Sequence, residues 1–200
     1  MPGSDDVELV RRLQAGDESA FVEVVNRYHR PLLRAARQYV GSDAVAEEVV
    51  QDTWVGVIRG IERFEGRSSL ATWLFRILAN RARTTGVKEN RSTPFDLTDE
   101  GAAPPELFTR DGAWVDPPQP WTDAVDDRLV AEQLLPHVKD CLEGLPENQR
   151  LVVTMRDVEG LESEEVCDVL GVTSGNQRVL LHRGRARVRA CLAAKLGRAS

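Results

Sequence analysis

Residues 161–189 read Leu161-Glu-Ser-Glu-Glu-Val-Cys-Asp-Val-Leu-Gly-Val-Thr-Ser-Gly-Asn-Gln-Arg-Val-Leu-Leu-His-Arg-Gly-Arg-Ala-Arg-Val-Arg189, the pattern of two helices around a sharp turn. Val166, Val169 and Leu170 recur at i, i+3 and i+4, which predicts a short helix from about Ser163 to Leu170 with one apolar stripe. Gly171 supplies the break that a helix C-terminus needs. Thr173 is suited to cap a second helix, because its hydroxyl can accept a backbone N–H of the first turn. Val179, Leu180, Leu181, Val188 and Leu192 are available for that helix's buried side, which leaves Asn176, Gln177, Arg178, His182, Arg183 and Arg185 to face outward. Amide and guanidinium groups near the start of such a helix suit the major groove of DNA, where they pair with base edges. From Gly171 to Ser200 there is no acid, while Arg178, Arg183, Arg185, Arg187, Arg189, Lys195 and Arg198 supply seven positive charges. In a protein of net charge −6 that segregation points to an anionic polymer as partner.

The acidity of the whole chain comes from its middle. Between Ser92 and Arg128 stand six of the ten prolines and nine acids against two arginines, a net −7, so the rest of the chain sums to about +1. Proline at that density does not continue a helix, and the charge opposes compact packing, so this stretch reads as a linker. Trp114 and Trp121 are out of place in it and are expected to dock on a flanking domain or a partner. No apolar run approaches the roughly 18 residues of a membrane span, and the start of the chain is polar, so no membrane insertion and a cytoplasmic location are expected. Cys141, Cys167 and Cys191 are odd in number and widely spaced within apolar patterns; they read as three small buried side chains, with no metal site.

The N-terminal part reads as helices throughout. Phe21, Val24, Val25, Tyr28, Leu32 and Leu33 mark one helix interrupted by Pro31; Val45, Val49, Val50, Trp54 and Ile58 mark the next, with Asp43 at its start. Leu70, Trp73, Leu74, Ile77 and Leu78 follow the spacing of a helix packed on a core, with Ser69, Thr72, Arg76, Asn80 and Arg83 on the opposite face. Between Gly66 and Phe95 the only acid is Glu89, which makes a second basic surface. The loop Phe64-Glu65-Gly66-Arg67-Ser68-Ser69 before it combines an aromatic ring, a glycine and small hydroxyls, the set that holds an unstacked base. Trp73 lies on the apolar stripe, and core packing accounts for it equally well. Glu47, Glu48, Gln51 and Asp52 give one helix an acidic, amide-rich face that DNA would repel and a basic protein surface would attract.

In this combination the segments resemble the extracytoplasmic-function group of sigma-70-type bacterial sigma factors, over residues 20–91 and 129–196. Ala46-Glu-Glu-Val-Val-Gln-Asp-Thr-Trp54 is similar to the helix that grips RNA polymerase; Phe64 to Leu74 resembles the promoter-melting segment and Arg76 to Arg91 the part that contacts the minus-ten element. Leu145-Pro-Glu-Asn-Gln-Arg150 resembles the entry into region 4, and Val158 to Gly171 its first motif helix. The resemblance implies an all-α protein of two small helical domains: region 2 over 5–91, an acidic linker over 92–127 and region 4 over 128–197. It implies polymerase-binding residues Glu47, Glu48, Gln51, Asp52 and Trp54. Residues for the minus-ten DNA would be Phe64, Arg67, Ser68, Ser69, Trp73, Arg76, Asn80 and Arg83. For the minus-thirty-five DNA they would be Arg178, Val179, His182 and Arg183, with Arg156 on a phosphate. The chain departs from the family pattern where Glu162 precedes the first motif helix, with Ser163 available to cap it one residue later, and where Leu180 replaces a common basic residue.

A protein of this kind is a non-enzymatic initiation factor without cofactor. By the same resemblance its partners would be the clamp helices and flap of RNA polymerase core, promoter DNA, and an anti-sigma factor, of the zinc-containing kind by the likeness of the two linker tryptophans. The competing reading is a stand-alone dimeric helix–turn–helix regulator, which explains the C-terminal basic helix and leaves the faces at Glu47–Asp52 and Arg76–Arg91 without a role. For a helical adaptor with no DNA role the seven positive charges of the C-terminal segment would be incidental.

Overall fold

The computed structural model describes residues 4–88 and 128–196, and every regular element among them is helical. The expectations for the linker, Trp114, Trp121 and Arg91 lie outside the described residues. By packing, the chain forms two units. The first takes the described residues of Met1–Asp96 with Thr154–Ser174; the second takes those of Leu97–Val153 with Gly175–Ser200.

The first unit contains α1 (Ser4–Gln14), α2 (Glu18–Ala36), α3 (Asp43–Gly60), a 3₁₀ turn (Ile61–Arg63), α4 (Leu70–Lys88), a π-helical turn (Thr154–Val158) and α7 (Ser163–Leu170). Asp17 starts α2 by accepting the N–H groups of Ser19 and Ala20, and Ser42 starts α3 by accepting that of Val45. The sequence suggests that Pro31 interrupts α2, yet the helix runs through it. Leu32, Ala35 and Ala36 are fully buried immediately beyond the proline, and that burial offsets the one backbone bond a proline removes. Val24, Leu32, Val50, Leu74, Phe75 and Leu78 are buried to 0–1% and form the core between α2, α3 and α4. The last residue of α3, Gly60, allows α4 to approach: a Cβ there would lie 3.2 Å from Cζ2 of Trp73. The indole therefore lies over the end of α3 and cannot be an entirely free side chain. Gly171 ends α7 in the left-handed conformation, φ 72°, with its N–H on the carbonyl of Cys167, as its position in the sequence predicts.

The second unit contains α5 (Arg128–Glu143), α6 (Glu147–Val153) and α8 (Ser174–Leu196), of which Ser174 counts with the first unit. Cys141 on α5 and Cys191 on α8 form a disulfide, with Cα atoms 5.8 Å apart. This corrects the reading of three separate buried thiols: only Cys167, half-buried, stands outside the bridge. Fifty residues separate the partners, so nothing local in the sequence announces the pairing. Beside the bridge Lys195 Nζ donates to Asp140 Oδ2 at 2.7 Å, and Arg187 Nη1 donates to Gln149 Oε1 at 2.9 Å, tying α8 to both α5 and α6. Lys195 also holds the Asp140 carboxyl below its ordinary range.

Candidate polymerase and nucleic-acid interfaces

The exposed side of α3 carries Glu48, Gln51 and Asp52 in solvent, and it continues into Val55 and Ile58, 42% and 57% exposed. The spacing 48, 51, 52, 55, 58 is one helix face. Val55 and Ile58 belong to a candidate interface that sequence reasoning misses; their i+3 and i+7 offsets from the acidic cluster are the available signal. Glu47 is half-buried, its carboxylate 3.8 Å from Nε2 of His29. Trp54 sits in the core at 9% exposure, edge-on to Phe21, with its indole N–H donated to Nδ1 of His29 at 3.4 Å. Trp54 and Glu47 therefore support the face from behind, while Glu48, Gln51 and Asp52 form its surface.

The loop between the 3₁₀ turn and α4 presents an exposed Arg67, ion-paired with Glu65, and half-buried Phe64 and Ser68. The Phe64 ring meets the Trp73 ring at 5.0 Å and 44°, so the two aromatics form one ledge. Ser69 serves α4 as a cap, its Oγ accepting the Thr72 N–H at 3.1 Å. Beyond it, Arg76, Asn80 and Arg81 are exposed along α4.

Other residues of this face are engaged within the unit. Both hydroxyls, of Ser69 and of the buried Thr72, donate to Oε1 of Glu165 on α7. The other oxygen, Glu165 Oε2, accepts the N–H of Glu162 at 2.9 Å and so closes the N-terminus of α7. The helix starts from Glu162, so Ser163 does not take the capping position that the sequence offers it. Partial burial pushes the Glu165 carboxyl up, but the bonds from Ser69, Thr72 and Glu162 outweigh it and leave it below its ordinary value. At the other end of α7, Arg83 Nη2 donates to the carbonyls of Leu170 at 2.9 Å and Val169 at 3.3 Å, a cation at the negative end of a helix. Arg34 grips Glu159 through two bonds of 2.8 and 2.9 Å, with the Glu159 side chain 5% exposed. The sequence puts Thr72 on the open face with Arg76, and its burial reflects partners more than 90 residues away that no local pattern contains. Arg156, expected on a phosphate, is half-buried and bonds the Leu161 carbonyl, with Glu162 Oε2 at 3.4 Å.

On α8, Arg178 is exposed, Val179 and Arg183 are half-buried, and His182 is buried at 6%. Burial, then the neighbouring Arg183 charge, lower the imidazole pKa. The buried stripe is Gln177, Leu180, Gly184 and Leu192, with Val179, Leu181 and Val188 only partly covered. The sequence pattern places Gln177 and His182 outside. The phase is set instead by Gly184, where an added Cβ would come within 2.5 Å of Val153 Cγ2, so that this narrow point of α8 faces α6.

Among the described residues no helix is long and apolar enough to cross a membrane. Residues 24–91 match the model of sigma-70 region 2 and residues 138–188 that of sigma-70 region 4. The chain is 32% identical over 180 residues to the ECF RNA polymerase sigma-E factor of Escherichia coli strain K12, covering 90% of each protein. It is 31% identical over 183 residues to that of Haemophilus influenzae, covering 90% of this chain and 91% of that one. In fold it resembles CnrH, solved in complex with the cytosolic domain of CnrY, with a TM-score of 0.59, 23% identity and coverage of 94% and 97%. It also resembles the Bartonella quintana sigma factor RpoE, solved with the anti-sigma factor NepR, with a TM-score of 0.57, 22% identity and coverage of 86% and 96%. With both regions matched in order and relatives above 30% identity along nearly their whole length, the chain belongs to the extracytoplasmic-function sigma factors of RNA polymerase and is an alternative sigma factor that directs promoter recognition.

Proposed function

We propose that the exposed face of α3, built from Glu48, Gln51, Asp52, Val55 and Ile58, docks on the clamp helices of RNA polymerase core, with Glu47 and Trp54 holding it in shape. Acidic and amide groups give the orientation, and the two apolar side chains supply area that a merely solvated face would not carry. In the same unit Phe64, Arg67, Ser68, Trp73, Arg76 and Asn80 engage the minus-ten element, with the Phe64–Trp73 ledge stacking an unpaired base, while Ser69 and Arg83 shape that face through their bonds to α7. Arg178, with the half-buried Val179 and Arg183, reads the minus-thirty-five element from α8, His182 supports them from the buried side of the helix, and Arg156 approaches a phosphate. The division of the chain into region 2 over 5–91, a linker over 92–127 and region 4 over 128–197 belongs to the same reading. So do a cytoplasmic location, the absence of catalysis, contact with the polymerase flap, and control by an anti-sigma factor, for which the complexes of the two structural relatives are the support.

The observation that carries this reading is the pairing, on adjacent helices of one unit, of an acidic and apolar face on α3 with a basic face on α4. Strand separation costs a few kcal/mol per flipped base, which the isolated chain cannot recover without polymerase holding the strands. Run-off transcription with purified core and promoter-containing genomic fragments tests it. Core plus this chain should start at discrete sites and core alone should not. Glu48→Lys and Asp52→Lys should each weaken core binding by about tenfold, roughly 1.4 kcal/mol, with the thermal transition unchanged. Wild-type affinity in both variants would remove this face from the interface.

A further inference from the structure

Two points fix α8 within the second unit. At Gly184 the helix lies against Val153 and Gln149 of α6 with no room for a side chain. Seven residues on, about 10 Å along the axis, the Cys141–Cys191 bridge fastens it to α5. The residues proposed above to read the minus-thirty-five element, Arg178 and Arg183, lie on the other side of the glycine. A helix held at two points keeps one direction, and a helix held at one point pivots. A tilt of about 10° at Gly184 displaces Arg178, six residues or about 9 Å away, by about 1.6 Å. A hydrogen bond to a base edge keeps its length over only about 0.5 Å.

An initiation factor meets polymerase and chromosomal DNA inside the cell, where thiols are kept reduced and a bridge, when present, is opened and closed in use. Cys141 is 3% exposed and Cys191 is half-buried, so reagents reach the sulfur of Cys191 first. Lys195 on Asp140, the neighbour of Cys141 in the chain, and Arg187 on Gln149 retain α8 when the bridge is open. The two thiols stay near each other and close again without a new search through 50 residues of chain. The Lys195–Asp140 pair is partly in solvent, with side chains 34% and 58% exposed, and such a pair is too weak to fix the direction of a helix.

We propose that Cys141 and Cys191 form a redox switch on the DNA-reading helix: a hydroperoxide closes the bridge and sets α8 for the minus-thirty-five element, and a dithiol opens it and releases that reading. The switch rests on the minus-thirty-five role of α8 proposed above and adds its control. In the closing step the Cys191 sulfur attacks one peroxide oxygen and the O–O bond breaks. The other oxygen leaves as an alcohol, or as water from hydrogen peroxide, with the thiol's proton, and Cys191 becomes a sulfenic acid. The Cys141 sulfur then attacks the Cys191 sulfur, the S–S bond forms, and the S–O bond breaks to release water with the Cys141 proton. Two electrons pass from the pair of thiols to the peroxide. In the opening step one thiolate of the dithiol attacks Cys191, Cys141 leaves as a thiol, and the second thiol of the reductant displaces Cys191 as its own disulfide closes.

The test uses the full-length chain, oxidised with hydrogen peroxide or reduced with dithiothreitol, freed of reagent and then combined with core polymerase and a promoter fragment found by run-off transcription. The oxidised holoenzyme should bind the fragment about tenfold more tightly than the reduced one, with equal affinity for core. Scrambling the minus-thirty-five element should remove the difference, and so should Cys191→Ser, whereas Cys167→Ser should keep it. In Cys141→Ser a 1,3-dione probe should trap the sulfenic acid on Cys191. If Cys191→Ser does not fold, reduced wild type returned to peroxide must regain the tight binding, and failure to regain it overturns the switch. Equal promoter affinity of the two wild-type forms also overturns it, and tighter binding by the reduced form overturns its direction. A redox difference that survives scrambling of the element overturns the route through α8. Trapping on Cys141 in Cys191→Ser, with none on Cys191 in Cys141→Ser, overturns the order of attack. If scrambling changes binding in neither redox state, the minus-thirty-five reading itself fails, and the inference with it.

Discussion

Single side chains with several partners do much of the local work, and Asp17 shows the limit of what their chemistry predicts. Its Oδ1 accepts the Ser19 hydroxyl at 2.6 Å and the N–H groups of Ser19 and Ala20 at 2.8 and 3.3 Å, while its Oδ2 accepts Arg12 Nε at 2.8 Å. Arg12 reaches on to Ser19 Oγ and Glu23, and its own pKa is raised by the Asp17 bond. The Ser19 hydroxyl, followed by Arg12, holds the Asp17 carboxyl well below the ordinary carboxylate value of 3.8. A carboxyl depressed in the folded state adds stability above its unfolded value, and that stability is lost as the pH falls through the folded one. The stability difference between wild type and Asp17→Asn should therefore be full near neutral pH and shrink as the pH drops below 3.8. Urea unfolding at a series of pH values measures it, and a difference that stays constant into acid would show that the carboxylate charge is not what the cap uses. The N-cap is a local signal, an Asp just before a helical run, that the apolar spacing of α2 does not by itself single out. The Arg12 arm is not, because nothing in a string of residues says which guanidinium folds back.

At the scale of elements, helix existence is legible in the sequence and helix phase is not. The apolar spacing of residues 70–78 correctly predicts α4, and Gly171 the end of α7. For α8 the same kind of counting chooses Val179 and Leu181 as core and turns Gln177 and His182 outward, where the structure buries Gln177 and His182. Periodicity weighs each residue by its hydrophobicity, but here the decisive residue is the smallest one. Gly184 lets α8 approach α6 so closely that Gln149 and Val153 fill the space where a side chain would stand, and the rest of the helix rotates with it. Replacing glycine by alanine inside a helix normally stabilises by about 1 kcal/mol. At Gly184 the added methyl meets Val153 Cγ2, and overpacking of this kind costs about 1–3 kcal/mol, so Gly184→Ala should destabilise the second unit. Val153→Ala should rescue part of the loss in the double variant, measured as a coupling in thermal or urea unfolding. Independent, additive losses would mean that the two helices do not meet at this point. The candidate interfaces follow the same rule. Glu48, Gln51, Asp52, Arg76 and Asn80 are exposed residues that composition alone could find, whereas Glu165 on Ser69 and Thr72 depends on partners distant in sequence.

For the whole molecule, the disulfide is the feature that the sequence conceals most completely. Cys141 and Cys191 enclose α6, the π-helical turn, α7 and most of α8, and part of that enclosed chain, Thr154–Ser174, packs with the N-terminal helices rather than with α5 and α8. Cross-linking across a separation of 50 residues removes chain entropy from the unfolded state worth about 4 kcal/mol. That stabilisation acts on the unit that holds both cysteines. The first unit has its own core around Val24, Val50, Leu74 and Phe75 and contains neither sulfur of the bridge. Reduction, or Cys191→Ser, should therefore accelerate hydrogen exchange in α5, α6 and α8 and leave α2, α3 and α4 close to their oxidised protection. Lys195 on Asp140 and Arg187 on Gln149 remain to hold α8 after the bridge opens, so the reduced second unit should loosen without losing its helices. Equal acceleration in both units would show that they unfold as one cooperative body, and no change in either would show that the two non-covalent contacts suffice to hold α8 in place.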